Sequence, residues 1–301
     1  MYFRLNNTFT DQLQGDPDLT NKPRQVYLSD YSFVTPQQPS YPQLVHVCDE
    51  VAELLEISGQ DIDTPEFLGI FSGAKNIVEA EPYAMCYGGH QFGNWAGQLG
   101  DGRAINLAQV DTSDGNNWTL QLKGAGATPY SRTADGLAVL RSSIREHLCS
   151  EAMFHLGVPT TRSLSLSLTG DKVVRDVLYD GNPDVEKGAV VCRVAPSFIR
   201  FGNFEIHAAR GEVDLIGKLA DYTIDQYFPE IDADENNKYV QLFGKVCDAT
   251  LEMVIGWQRV GFVHGVMNTD NMSILGLTID CLLYTSPSPR DATLSRMPSS
   301  A

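Results

Sequence analysis

The sequence predicts an α+β fold in which a strand-rich half precedes a helical half. Three observations point to it. Segments with two-residue alternation of apolar side chains cluster between residues 104 and 196. Apolar residues at three- and four-residue spacing take over after residue 205. Two glycine-dense stretches, 87–104 and 123–136, interrupt the early elements where turns and backbone approaches to a ligand belong.

In chain order, residues 1–40 are polar and rich in Pro, Asn and Gln, which predicts an extended, wrapping arm. Helical spacing at Leu44, Val47, Val51, Leu54 and Leu55 predicts a helix over 41–57. A second helix over 64–73 opens on Thr64-Pro65 and stops at Gly73. Residues 104–110 and 118–124 alternate as strands, joined by the turn chemistry of "DTSDGNN". The segment 137–156 reads as a helix stopped by Gly157 and Pro159, with Leu137, Leu140, Ile144, Leu148, Ala152 and Leu156 along one stripe. Val139, Cys149 and Met153 lie elsewhere on the wheel, so enclosure on more than one side is expected. Three further strands follow at 162–170, 172–180 and 188–196, then two long helices at 212–228 and 238–261. The last of these carries Val240, Leu242, Phe243, Val246, Leu251, Val254, Ile255 and Trp257, which would need cover from helices further along. No internal repeat is visible.

Composition narrows the function. A formal net charge of −16 argues against a nucleic-acid surface, which needs Lys and Arg to neutralise phosphates, but leaves room for a local basic site. No apolar run reaches the ~18 residues of a membrane span, and the N-terminus lacks the pattern of a signal peptide. The 6 cysteines are scattered without a Cys-x-x-Cys pair, as expected of free thiols in a reducing cytoplasm. From 281 to 301 the composition shifts to Ser, Pro and Thr without periodicity; this tail resembles translated adapter sequence and is excluded from the fold argument.

The chemistry centres on "HGVMNTDNMSILGLTID", residues 264–280. A protein-kinase catalytic loop runs His-Arg-Asp, four residues, Asn, with the Asp accepting the substrate hydroxyl's proton and the Asn holding a metal. His264 and Asn271 keep that spacing, Val266 occupies the Asp position, and Asp270 stands beside the Asn. Asp270, Asn271 and Asp280 offer oxygen ligands of the kind that suit Mg²⁺ or Mn²⁺ on nucleotide phosphates. Upstream, "GQLGDGRA" places Gly100, Gly102 and Arg103 before a strand, where backbone N–H groups and a guanidinium can meet phosphate; it is not a Walker loop, because no Lys follows. Lys123 ends the next strand and Glu146 lies on the following helix, the arrangement of a kinase's nucleotide lysine and its ion-pair partner. Arg193 and Arg200, seven apart, converge on a triphosphate or make surface ion pairs; spacing does not decide. Nucleotide grip first and catalytic loop second is the order of a protein-kinase-like, two-lobed fold.

At this point the motifs "YGGHQFGNWAGQLGDGRA", "QLKGAG", "RSSIREHLCSEAM", "RVAPSFIRFGNFE" and "HGVMNTDNMSILGLTID" together resemble the selenoprotein O family, called YdiU in bacteria. The resemblance spans roughly residues 1–280. It implies a kinase-like fold that transfers AMP from ATP to Ser, Thr or Tyr hydroxyls of proteins, with the nucleotide in a flipped orientation. Carried over by motif, Asp270 would be the general base and Asn271 and Asp280 the metal ligands. Gly100, Gly102, Arg103, Lys123, Asp135, Gly136, Arg193, Arg200 and Asp280 would contact the nucleotide, and Glu146 would pair with Lys123. Family chains continue beyond this point with a large helical lobe, so the expected organisation is an arm and complete nucleotide lobe (1–204), the start of a truncated helical lobe (205–280) and a non-native tail (281–301). The truncated chain is expected to be aggregation-prone or partly unfolded in its last third, and inactive in transfer. UMP transfer, ordinary phosphoryl transfer and an ATP-binding pseudokinase without turnover are the rival readings.

Overall fold

The computed structural model describes residues 1–91, 93–176, 180–232 and 236–279. The chain opens with β1 (Arg4–Leu5), α1 (Thr8–Gln12), β2 (Tyr31–Phe33) and β3 (Gln43–Val47), then α2 (Asp49–Leu54), α3 (Gly59–Ile62) and α4 (Pro65–Phe71). Next come β4 (Tyr83–Met85), a hairpin of β5 (Gly88–Gln91) and β6 (Asn94–Gln98), β7 (Ala104–Asp111), β8 (Asn117–Lys123) and β9 (Ala138–Val139). Helix α5 (Leu140–His155) leads into β10 (Arg162–Arg175) and β11 (Asp184–Ala195). Then α6 (Phe201–Arg210), α7 (Val213–Tyr227) and α8 (Lys238–Arg259) precede a 3₁₀ turn at Thr269–Asn271.

Nine of these strands form one sheet in the order β2-β4-β7-β8-β11-β10-β3, with β1 added beside β7 and β9 beside β11. Each pairing in it is antiparallel, and Lys123 lies opposite both Ala104 on β7 and Val191 on β11. The end of β8 is therefore held from both sides, which fixes where that lysine emerges. One core packs α2 and α4 against the sheet through Val51, Phe67, Phe71, Ile105, Leu120 and Leu122. A second, rich in aromatics, joins the sheet to α7 and α8 through Phe9, Tyr83, Phe198, Leu219, Tyr222 and Leu242. The first 40 residues, read as an extended arm, include α1 and two short strands and pack on the sheet: Phe9 stacks on Tyr83 at 5.3 Å, and Arg24 and Gln37 bond through their N–H groups to Pro129 and Ala125 of the loop after β8.

Three expectations need correction. The helix read over 41–57 is instead β3 followed by α2. Most of β3 is exposed at the sheet edge, so it carries no inside–outside alternation, and its Leu and Val fall by chance on helical spacing. The strands read at 162–170 and 172–180 are one strand, β10, with a register shift between Leu168 and Lys172 at the boundary between the two; residues 177–179 lie outside the described residues.

Helix α5 begins at Leu140, because Ala138 and Val139 bridge to β11, and its stripe faces the wrong way. Ile144, Leu148 and Leu156 are exposed, whereas Ser143, Glu146, His147, Ser150 and Met153 are buried. The face against the sheet is polar because it holds partners: His147 bonds Ser163 Oγ at 2.6 Å and His46 Nδ1 at 2.8 Å. On α8, Leu242, Val246 and Trp257 are buried, but Val240, Phe243, Leu251 and Ile255 stay more than half exposed.

Candidate active site

A cavity of about 730 Å³ opens beside the C-terminal end of β8, bounded by the glycine loop before β7, the loop after β8 and the 3₁₀ turn. Among the described residues its lining carries six cationic side chains (Arg103, Lys123, Arg132, Arg175, Arg193, Arg200) and three carboxylates (Asp101, Asp135, Asp270). That surplus of cations among the described lining residues, in a chain of net charge −16, suits an anion.

The glycine loop has its shape for a packing reason. Gly100 has φ +70° and a Cβ there would lie 2.3 Å from the Tyr130 ring, so only glycine lets that ring close the floor. Thr128 Oγ1 donates to the Asp101 carbonyl at 2.8 Å, and Ser131 Oγ donates to the Gly102 carbonyl, which ties this loop to the one after β8. That second loop crosses itself at Gly136, φ +71°, where a Cβ would stand 2.1 Å from the Gly126 oxygen. Beside it, Arg175 clamps Asp135 in two bonds of 2.8 Å, and those bonds hold the Asp135 carboxyl below the usual range.

Behind the loops sits a buried ion cluster. Glu146 Oε2 lies 2.8 Å from Lys123 Nζ and its Oε1 lies 3.2 Å from Arg193. All three side chains are at most 8 % exposed. Arg193 also donates to Gln121 Oε1 and stacks over Phe198 at 5.1 Å. The sequence pairing of Lys123 with Glu146 is present, with a third member that spacing did not reveal. Among the described residues, one carboxylate faces two cations in this cluster.

Arg200 joins the two sides of the cavity. Its guanidinium donates to the Asp270 carbonyl at 2.7 Å, lies 3.5 Å from Asp101 Oδ1 and stacks over Tyr87 at 4.6 Å. Asp101 is 1 % exposed, and burial pushes its carboxyl up; Met85 N–H donates to it at 3.0 Å. His264 is buried, stacks on Trp257 at 5.1 Å and accepts from Val266 N–H at 3.3 Å. Asn271 donates its amide nitrogen to the Val266 carbonyl at 3.2 Å. That bond fixes the amide's orientation and leaves its oxygen as the end available to a hard cation, so this residue fits a Mg²⁺ or Mn²⁺ ligand.

The structure thus brings Gly100, Gly102, Arg103, Lys123, Asp135, Gly136, Arg193, Arg200, Asp270 and Asn271 to one cavity, with Glu146 directly behind it. Asp280 lies outside the described residues. Among the described residues no three His, Cys, Asp or Glu side chains converge as a metal cluster, and the 5 described cysteines form no disulfide. Sequence reasoning passed over Asp101, Gln121, Tyr130 and Arg175. Asp101, an acidic residue enclosed by two glycines, carried a readable signal; Arg175 carried none.

Fold and cavity define the class: a mixed α/β protein with a basic cleft between a large antiparallel sheet and a helical segment bearing an Asp-Asn loop. Within that class, the family described as protein adenylyltransferase SelO has a model that matches residues 14–285, and the chain belongs to it. It is 64% identical over 277 residues to a protein of Flavobacterium johnsoniae named protein nucleotidyltransferase YdiU, covering 92% of this chain and 53% of the relative. Proteins of the same name from an Azoarcus species and from Aromatoleum aromaticum are 62% and 59% identical, again over 92% of this chain and 53% and 54% of their own length. The chain spans about half the length of the curated relatives it matches.

Proposed function

We propose that the full-length protein is a nucleotidyltransferase that moves AMP from ATP to Ser, Thr or Tyr hydroxyls of other proteins. On this reading residues 1–204 are the nucleotide lobe and 205–280 begin the catalytic lobe of a kinase-like pair, working in a reducing cytoplasm. The observation that carries the reading is the cation set Lys123, Arg193 and Arg200 lining the same cavity as Asp270 and Asn271, with Val266 where a kinase has its Asp. Phosphoryl transfer needs charge stabilisation around one γ-phosphate. Cations grouped beyond the usual lysine suit departure of a pyrophosphate, which carries off more charge.

In the reaction, the acceptor hydroxyl oxygen attacks the α-phosphorus, the bond to the bridging oxygen of pyrophosphate breaks, and Asp270 takes the hydroxyl proton. Lys123, held by Glu146, and the two arginines bind and orient the phosphates. Gly100 and Gly102 would let backbone approach them, and Arg103, Asp135 and Gly136 would contact the nucleotide as well. Asn271 and Asp280 would hold Mg²⁺ or Mn²⁺, which when bound supplies charge neutralisation along the phosphates.

The test is incubation of the full-length protein with lysate proteins and ATP labelled at the α or the γ position. α-label on protein supports the proposal, γ-label replaces it with kinase chemistry, and preference for UTP replaces AMP with UMP. Tight ATP binding without any label transfer would leave a non-catalytic nucleotide sensor.

A further inference from the structure

We propose that Gln91 is a positioning residue for Asp270, holding the base carboxylate in line by donating to it from the side-chain amide. The inference deepens the proposed transfer reaction and rests on it. The β5–β6 hairpin is built against the 3₁₀ turn that carries Asp270. His90 N–H donates to Thr269 Oγ1 at 3.0 Å, and the Thr269 hydroxyl donates to Glu205 of α6, which also bonds His90 Nδ1. With the hairpin pinned through His90 on one side, strand alternation turns the next side chain, Gln91, into the cavity, where its Nε2 lies 3.3 Å from Asp270 Oδ2.

An ionised carboxylate only accepts hydrogen bonds, so the amide must present its nitrogen, and the contact has a fixed polarity. The fit is close: a Cβ on Gly89 would lie 3.0 Å from Asp270 Oδ1, so the hairpin backbone itself walls the carboxylate. Arg200 fixes the Asp270 main chain from the opposite side, through its carbonyl at 2.7 Å. Main chain and side chain of the base are thereby held by separate donors, which is the preorganisation a proton acceptor needs.

Three variants of the full-length protein test this with α-labelled ATP: Gln91→Leu removes the donor at similar size, Gln91→Glu keeps the shape but offers only acceptors, and Gln91→Lys restores a donor. The expected result is a fall in kcat of about 10–100-fold for Q91L and at least as much for Q91E, with KM for ATP within about threefold of the parent and kcat largely recovered in Q91K. Parental kcat in Q91L and Q91E overturns the proposal. So does equal loss in Q91K and Q91L, or a loss carried by KM alone, because a merely structural role predicts those patterns. If the parent protein transfers γ-label instead, AMP transfer falls, and the same three-way comparison on γ-label still decides the role of Gln91.

Discussion

Glu146 is the residue whose loss the structure makes most informative. Replacing it by alanine leaves Lys123 and Arg193 facing each other in a site where none of the three side chains is more than 8 % exposed. Removing one member of a buried ion cluster typically costs about 3–5 kcal/mol, because its partners lose a counter-charge in a desolvated site. Lys123→Met is milder: Glu146 retains Arg193 at 3.2 Å, so the loss at Glu146 is one charge-assisted bond, about 1.5–3 kcal/mol. At roughly 2–3 °C per kcal/mol for a chain of this size, E146A should lower the midpoint by about 6–15 °C and K123M by about half that. The double variant should recover part of the E146A loss, since it removes one of the two cations that lose Glu146 as a counter-charge. Urea and thermal unfolding of the four proteins, followed by tryptophan fluorescence, measure these differences. A double variant less stable than E146A alone, or an E146A loss under about 1 kcal/mol, would refute the account of Glu146 as a shared counter-charge.

Further outcomes are expected elsewhere. Asp270→Ala in the full-length protein should cut transfer by about 10²–10⁴-fold while ATP affinity changes little; unchanged transfer would remove the base from that residue. Gly136→Ala forces φ +71° on a side-chain residue and drives a Cβ to 2.1 Å from the Gly126 oxygen, so nucleotide affinity should drop at least tenfold by calorimetry, and parental affinity would show that the loop crossing is dispensable. Burial, reinforced by His46, lowers the His147 imidazole to about 4. The unfolded chain therefore takes up that proton near pH 6.5 and the folded chain does not, so stability is full above pH 6.5 and falls as pH drops toward 4, by about 2–3 kcal/mol. Urea midpoints at pH 7.5 and 4.5 should differ less in His147→Asn than in the parent; equal differences would mean that another group sets the acid limb. Chelation of divalent metal should abolish transfer and Asn271→Ala should raise the Mg²⁺ concentration for half-maximal rate; an unshifted requirement would exclude Asn271 as a ligand.

The parts of the site that were legible in the sequence are those fixed by local order. A lysine ending a strand and a glutamate on the next helix must meet if the helix packs back on the sheet, and Lys123 and Glu146 do. Glycines between turn and strand likewise identify the loop over Tyr130. What was not legible depends on long-range contact. Arg193 reaches Glu146 only because β11 pairs with β8 in a register that sets Arg193 opposite Gln121. Helix α5 misled because its periodicity was read as a core stripe, whereas the face toward the sheet is claimed by Glu146 and His147 with their partners, and the aliphatic side chains are left outward. Strand β3 misled because an exposed edge strand has no reason to alternate.

The basic cavity set in an acidic chain has a kinetic consequence. A polyphosphate approaching from bulk solvent first meets the field of the whole molecule, −16 in sum, and is repelled; only within about a Debye length, ~8 Å at 0.15 M salt, do the six cations of the lining dominate. Added salt then acts in two directions. It screens the outer repulsion and speeds encounter, while weakening the inner contacts and hastening escape. Association and dissociation rates of the nucleotide should both rise with ionic strength, so that a modest change in affinity conceals a large change in residence time.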